Sequence, residues 1–244
     1  MRARVVLGVL VVANAAFPAV AHAGSRADYK MTFTSRDPGA SAGVDVRLLY
    51  KRPGRPKAKP VPVRQETFTF PAGTKFDSEV VPPCTASDVE LMLRGSSACP
   101  WSWVGAGHGD TIMTGFPGQG ETPIDVDVLL DGAEVKVVSR PKGFPFWFVT
   151  HGRTRGRVTT ITIPRSPGGP PDGESALRRV HNFFPARSRD DDVYTRTPPT
   201  CPRSRVWTFR ARFTFADGVV EHDVYRMRCR RPRTIWGSGG GAAS

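Results

Sequence analysis

The sequence predicts an all-β fold: an antiparallel β-sandwich-like domain with one short disulfide-clamped helix. Apolar residues recur at every second position in several segments, the period of a half-buried strand. Two Asp-Gly pairs separate such segments where tight hairpin turns belong. The one convincing helical signal, Cys84 to Gly95, is bracketed by two of the four cysteines.

The elements follow in chain order. Tyr29, Met31 and Phe33 share one face, and Val44, Val46 and Leu48 repeat the period after the turn-like Arg36-Asp37-Pro38-Gly39. Lys51 to Pro62 is cationic and punctuated by proline, so it reads as a solvated loop. Val63 to Phe70 is a third strand. Ser87 is a helix N-cap with Glu90 three residues on, a capping-box spacing in which each side chain satisfies the other's backbone N–H. Gly95 stands where a C-cap glycine belongs. Two turns of helix do not persist alone in water.

Ile124 to Leu130 faces Ala133 to Val138 across Asp131-Gly132. A two-residue turn there places Val126 opposite Val137, Val128 opposite Val135, and Asp127 opposite Lys136. Gly156 to Ile163 reads as another strand. Residues 164–204, rich in Pro, Gly, Arg and Asp, read as a long irregular excursion. Val206 to Phe215 then pairs with Val219 to Cys229 around Asp217-Gly218. Trp207, Phe209, Ala211, Phe213 and Phe215 line one face, and the turn places Arg212 opposite Asp223 and His222 opposite Phe213.

Residues 1–23 have the three parts of a secretory signal peptide: Arg2 and Arg4, an apolar run from Val5 to Val20, and Ala21-His22-Ala23 before Gly24. The run is too short and interrupted to span a ~30 Å hydrocarbon core. The domain is thus expected over residues 24–236, with a flexible Gly/Ser/Ala tail at 237–244, in a secreted, extracellular protein without a transmembrane segment. The formal charge is +13, and losing Arg2 and Arg4 leaves +11. Four cysteines in an oxidising compartment imply two disulfides with three connectivities open. Hairpin geometry favours Cys201 with Cys229, which leaves Cys84 with Cys99 as a clamp on the helix.

The chemistry-bearing motifs are sparse. No G-x-S-x-G elbow and no H-E-x-x-H helix occurs. His108 and Asp110 could ligate a metal or orient a base, but polar turns are the favoured account of His108 and of His151 beside Gly152. His222 reads as a core histidine. Asp190-Asp191-Asp192 lacks a turn glycine within the run and reads as a solvated acidic patch rather than a Ca²⁺ loop. Neither a metal nor another cofactor is expected. Basic clusters at Lys51–Arg64, Arg153–Arg157, Arg178–Arg189 and Arg226–Arg233 suit anionic surfaces. Export makes those surfaces envelope polymers or glycans rather than nucleic acid. Trp101, Trp103, Phe146 and Trp147, with Arg153, Arg155 and Arg157, form the candidate binding patch, Trp101 and Trp103 sharing one strand face.

Pro71-x-Gly73-x-x-Phe76-Asp77, Cys84-x-Ala86-Ser87-Asp88-x-Glu90-Leu91, Gly95-x-x-x-Cys99-Pro100 and Gly105-x-Gly107 together resemble an uncharacterised family. Its members are secreted proteins of high-GC Gram-positive bacteria. Cys201-Pro202, Trp207-Thr208-Phe209, Phe213-Thr214-Phe215 and Ala216-Asp217-Gly218 resemble its C-terminal hairpin. Trp101-Ser102-Trp103 departs from the polar stretch expected there. The resemblance implies location and fold, and no activity.

The function expected from these features is a secreted, non-enzymatic binding or structural protein, associated with anionic cell-envelope polymers. The alternative is a secreted hydrolase with a site at His108, Asp110 and His151.

Overall fold

A computed structural model of the chain describes residues 24–113, 120–168 and 173–230. Residues 1–23, expected as a signal peptide, and the expected tail at 237–244 lie outside the described residues. Strands β1 (Ala27–Phe33), β2 (Val44–Tyr50), β3 (Val63–Thr69) and the short β4 (Lys75–Phe76) precede helix α1 (Asp88–Arg94). Then follow β5 (Trp103–Met113), β6 (Gly120–Asp131), β7 (Glu134–Pro141), β8 (Phe148–Arg155), β9 (Val158–Thr162) and β10 (Ala176–Phe184). Three two-residue strands, β11 (Ser188–Arg189), β12 (Asp192–Val193) and β13 (Thr195–Arg196), lead to the last pair, β14 (Val206–Phe215) and β15 (Val220–Arg228).

Eleven strands form one antiparallel sheet in the order β1-β2-β10-β5-β6-β7-β8-β9-β3-β14-β15. Right-handed twist accumulates across so many strands until the sheet curls on itself. Its two walls face each other across one interior, the sandwich-like arrangement, with a single sheet supplying both. The end strands β1 and β15 meet at a seam closed by side chains. Glu221 accepts from the Arg26 backbone N–H at 2.9 Å, the Phe33 N–H lies 3.3 Å from Met227 Sδ, and Lys30 sits over the Tyr225 ring. These contacts cover edges that would otherwise offer unpaired backbone groups.

The alternating residues supply the core. Tyr29, Met31 and Phe33 of β1 and Val44, Val46 and Leu48 of β2 are all buried. The β14 face packs against them: Phe209 is fully buried, with its ring centroid 5.0 Å from that of Phe33. Burying one such side chain contributes about 1.5–3 kcal/mol, so this aromatic seam anchors the fold.

Helix α1 lies on the outside of the sheet. Ser87 accepts from the Glu90 N–H, and Glu90 accepts from the Ser87 N–H at 2.9 Å, completing the capping box. Leu91 is fully buried against Cys84, Leu129 and Val138. The Cys84–Cys99 and Cys201–Cys229 disulfides both form. Lys136, buried in β7, donates to the Cys84 carbonyl at 2.7 Å and pairs with Asp131 at 3.0 Å. Beyond the helix, the Trp147 ring occupies the space over Gly95, where a Cβ would lie 2.3 Å from it.

Both hairpins differ in register from the sequence reading. In β6–β7 the turn residues are Gly132 and Ala133, so Val128 lies opposite Val137, Val126 opposite Ser139, and Asp127 opposite Val138. A one-residue move of the turn shifts partners by two and keeps the faces. In β14–β15 the loop is Ala216-Asp217-Gly218, with Phe215 N–H bonded to the Val219 carbonyl and Gly218 at φ 82°. Three-residue loops end in such a left-handed residue. Arg212 therefore lies opposite His222, not Asp223. The odd shift also changes faces, so His222 is exposed rather than in the core.

The expected excursion at 164–204 contains β10, which sits inside the sheet between β2 and β5. A bulge between Leu177 and Arg179 breaks its period of two, and outward Arg179 and His181 mask the inward Val180. That break hid the strand.

Candidate functional site

The inward faces of the sheet do not fill its interior. A cavity of about 130 Å³ remains, walled by Val44, Val46, Phe68, Val126, Val137 and Ile161. A second hollow of about 110 Å³ shares Ile124, Ser139, Thr150, Ile163 and Leu177 with it. Its other walls mix apolar residues such as Met113, Phe148 and Val149 with one charged cluster: Arg64 holds Glu174 in a two-pronged ion pair, one contact of which is 2.7 Å, and exposed Arg165 stands 3.8 Å from the same carboxylate. The two adjoining hollows together read as an apolar chamber with one charged cluster in the wall of the second.

One acid faces the chamber. Glu66 precedes Phe68 and Phe70 in the alternation that runs through β3, and it is 5 % exposed. The Tyr50 hydroxyl, buried on β2, donates to Glu66 Oε1 at 2.5 Å. Burial pushes the Glu66 carboxyl up to about 7, the Tyr50 hydrogen bond only partly opposing it. Burial and the Glu66 charge hold the Tyr50 phenol far above its ordinary range. The Thr195 hydroxyl, also lining the chamber, is buried without a partner. A buried donor left unpaired costs about 1–3 kcal/mol, so the wall has polar capacity to spare.

The residues singled out in the sequence fall elsewhere. His108 lies in the middle of β5, not in a turn, opposite His181 of β10 with ring centroids 5.3 Å apart. Asp110 is held by Arg179 at 2.6 Å. His151 is likewise in a strand, β8, where it ties α1 to the sheet, 3.0 Å from Asp88 and 2.6 Å from Glu134. Burial opposes its protonation, but those two carboxylates outweigh burial and raise its pKa. Three strand spacings, roughly 14 Å, separate β5 from β8. His108, Asp110 and His151 therefore do not form the expected hydrolase constellation.

The candidate patch is divided too. Trp101 lies in a 3₁₀ turn at 80 % exposure, while half-buried Trp103 starts β5 and donates to Asp127 at 3.0 Å. The two do not share a strand face. Trp103 and Trp147 pack on the cluster beneath α1, and Arg140 stacks over Trp147 at 4.8 Å. Phe146 forms a separate trio with Phe144 and Phe148. Arg153 and Arg155 are the exposed residues of half-buried β8, and Arg157 donates to the Phe70 carbonyl at 2.7 Å. Asp190, Asp191 and Asp192 sit exposed in the small β11–β12 hairpin. Among the described residues, no group of His, Cys, Asp and Glu is arranged to hold a metal.

Sequence reasoning missed Glu66, Tyr50 and Thr195. The signal for Glu66 was present: it is the charged member of the apolar face that Phe68 and Phe70 define.

What the fold and site define is a class: a disulfide-bonded all-β protein whose curled antiparallel sheet encloses an apolar chamber. Two disulfides fit an oxidising compartment. Among the described residues no helix is long and apolar enough to cross a membrane. Comparison with family models, curated proteins and solved structures finds no match to this chain.

Proposed function

We propose that this is an exported, non-enzymatic binding protein that carries a small apolar molecule inside its sheet. The observation that carries this reading is the chamber itself, apolar on nearly all sides. Pre-formed hollows with few convergent polar groups are the usual form of small-molecule sites. The size sets the guest: an apolar cavity of about 150 Å³ admits a benzene ring. Export follows from the signal-like residues 1–23, and the resemblance to secreted proteins of high-GC Gram-positive bacteria supports it.

The test uses benzene and 1-hexanol as probes. Saturation near a hundredfold over Kd is expected to stabilise the protein by about 2.7 kcal/mol, read as a raised Tm. Val137→Phe should fill the chamber and abolish the response. If neither probe shifts the Tm or perturbs interior methyl resonances by NMR, the carrier reading falls.

A second reading, association with an anionic envelope surface, is favoured by one specific patch. Val89, Met92 and Leu93 stand on the exposed side of α1 at spacings of three and four, with Leu93 71 % exposed. Trp101 lies beyond the same disulfide-clamped segment, and Arg94 closes the helix. Apolar and tryptophan side chains beside Arg94 suit the boundary of an anionic lipid layer. Phosphatidylglycerol vesicles should sediment the protein and phosphatidylcholine vesicles should not, with binding weakening as salt rises. Leu93→Glu should abolish it. Sedimentation that ignores both salt and headgroup charge would overturn this reading.

A further inference from the structure

The carrier reading leaves the chemical class of the guest open, and the chamber wall narrows it. Its polar pole is Glu66, of which Tyr50 engages only one oxygen. Its partners on the two adjacent strands are apolar: Ile161 of β9 and Phe213 of β14 flank Glu66 in the sheet. A carboxylate alone in such surroundings is costly, so the site either keeps its proton or receives a partner that brings positive charge.

We propose that the chamber binds a primary amine with an apolar body of about six carbons, its nitrogen seated on the Glu66 carboxyl beside the Tyr50 hydroxyl. This rests on the carrier reading and adds the head group to it. The amine can enter neutral and meet the protonated acid. The Glu66 O–H bond then breaks, an N–H bond forms on the amine lone pair, and an ammonium–carboxylate pair results without either ion crossing the apolar walls alone. A carboxylate head has no comparable seat. It would face Glu66 within the chamber, and in the second hollow Arg64 is already held by Glu174.

The pH dependence follows from the groups around Glu66. Tyr50 faces it from β2 and Tyr29 lies across the core on β1; burial raises both phenols, so both stay neutral in the working range. Arg64, on the same strand, is committed to Glu174 and remains charged. Glu66 alone titrates, near 7. Below that pH, seating an ammonium requires expelling a proton, and affinity falls about tenfold per unit. Between about 7 and the amine's own pKa, affinity is level.

Calorimetry with hexylamine, 1-hexanol and hexanoate tests this on the full protein and on Glu66→Gln. The Gln side chain keeps the volume and can still accept from Tyr50, so the variant preserves the fold. Wild-type protein at about pH 8 should bind hexylamine at least tenfold more tightly than 1-hexanol, and hexanoate least. Lowering the pH to about 5 should weaken hexylamine about a hundredfold and leave 1-hexanol nearly unchanged. Glu66→Gln should remove the amine preference while keeping 1-hexanol. If 1-hexanol binds as tightly as hexylamine, or Glu66→Gln leaves hexylamine unaffected, the amine assignment is overturned and the carrier reading stands. If none of the three binds, the carrier reading falls with it.

Discussion

Replacing Gly109 by alanine should destabilise the protein by about 3 kcal/mol, the upper end of the ordinary overpacking range. Gly105, Gly107 and Gly109 are successive inward positions of β5, opposite Val128, Val126 and Ile124 of β6. On the other side, β10 crosses so closely that a Cβ on Gly109 would lie 2.1 Å from the Arg179 carbonyl oxygen. That neighbour is backbone, so no rotamer relieves the clash. The strands must part, and with them the ladder that holds the middle of the sheet. The control is Gly132→Asn at the β6–β7 turn. There φ is 58°, nothing lies within 4 Å of a Cβ, and asparagine tolerates the left-handed region. Urea midpoints of the two variants decide the matter. If Gly109→Ala costs no more than Gly132→Asn, the glycine row is not what permits the close crossing.

This row also shows how much of the fold was legible. Gly105-x-Gly107 and Gly107-His108-Gly109 stand out in the sequence, but composition says only that the backbone needs room. It does not say whether a phosphate, a turn or another strand takes that room. The answer depends on β10, whose own pattern is broken by its bulge. Period-two alternation made β1, β2, β3 and β14 readable because each buries a single face. The helix was readable because the Ser87–Glu90 capping box is local. The two turns were readable as turns, yet their registers were not: an Asp-Gly pair can precede the loop by one residue, as before Gly132-Ala133, or end a three-residue loop, as at Ala216-Asp217-Gly218, and only the fit of both strands in the closed sheet selects one. The site was least legible. The alternation with Phe68 and Phe70 marks Glu66 as an inward acid, but its partner does not show until Tyr50, sixteen residues earlier, is known to lie beside it. His108, Asp110 and His151 drew attention by residue type, and each is spent instead on strand or helix contacts.

Loss of the Cys201–Cys229 bond should be the costlier of the two disulfide removals, and the two should fail in different places. Twenty-eight residues of sequence separate Cys201 from Cys229, against fifteen for Cys84 and Cys99. The chain-entropy model gives about 3.6 kcal/mol for the longer loop and about 3.0 kcal/mol for the shorter. Architecture widens this small difference. Cys201 leads into β14, whose Trp207, Phe209 and Phe213 form the aromatic core, and Cys229 ends β15 at the seam with β1. Releasing that bond frees both the mouth of the last hairpin and one lip of the seam. Cys84 and Cys99 instead bracket α1 on the outer surface. There the capping box, Lys136 and the His151 contacts with Asp88 and Glu134 still hold the segment to the sheet. Hydrogen exchange separates the cases. Cys201→Ser with Cys229→Ser should speed exchange throughout β15 and β1 and lower the urea midpoint. Cys84→Ser with Cys99→Ser should speed exchange in α1 alone, with the sheet protected. Equal loss of protection across the whole sheet in both variants would mean that the helix clamp, though it sits outside the barrel-like wall, is part of the same cooperative unit as the core.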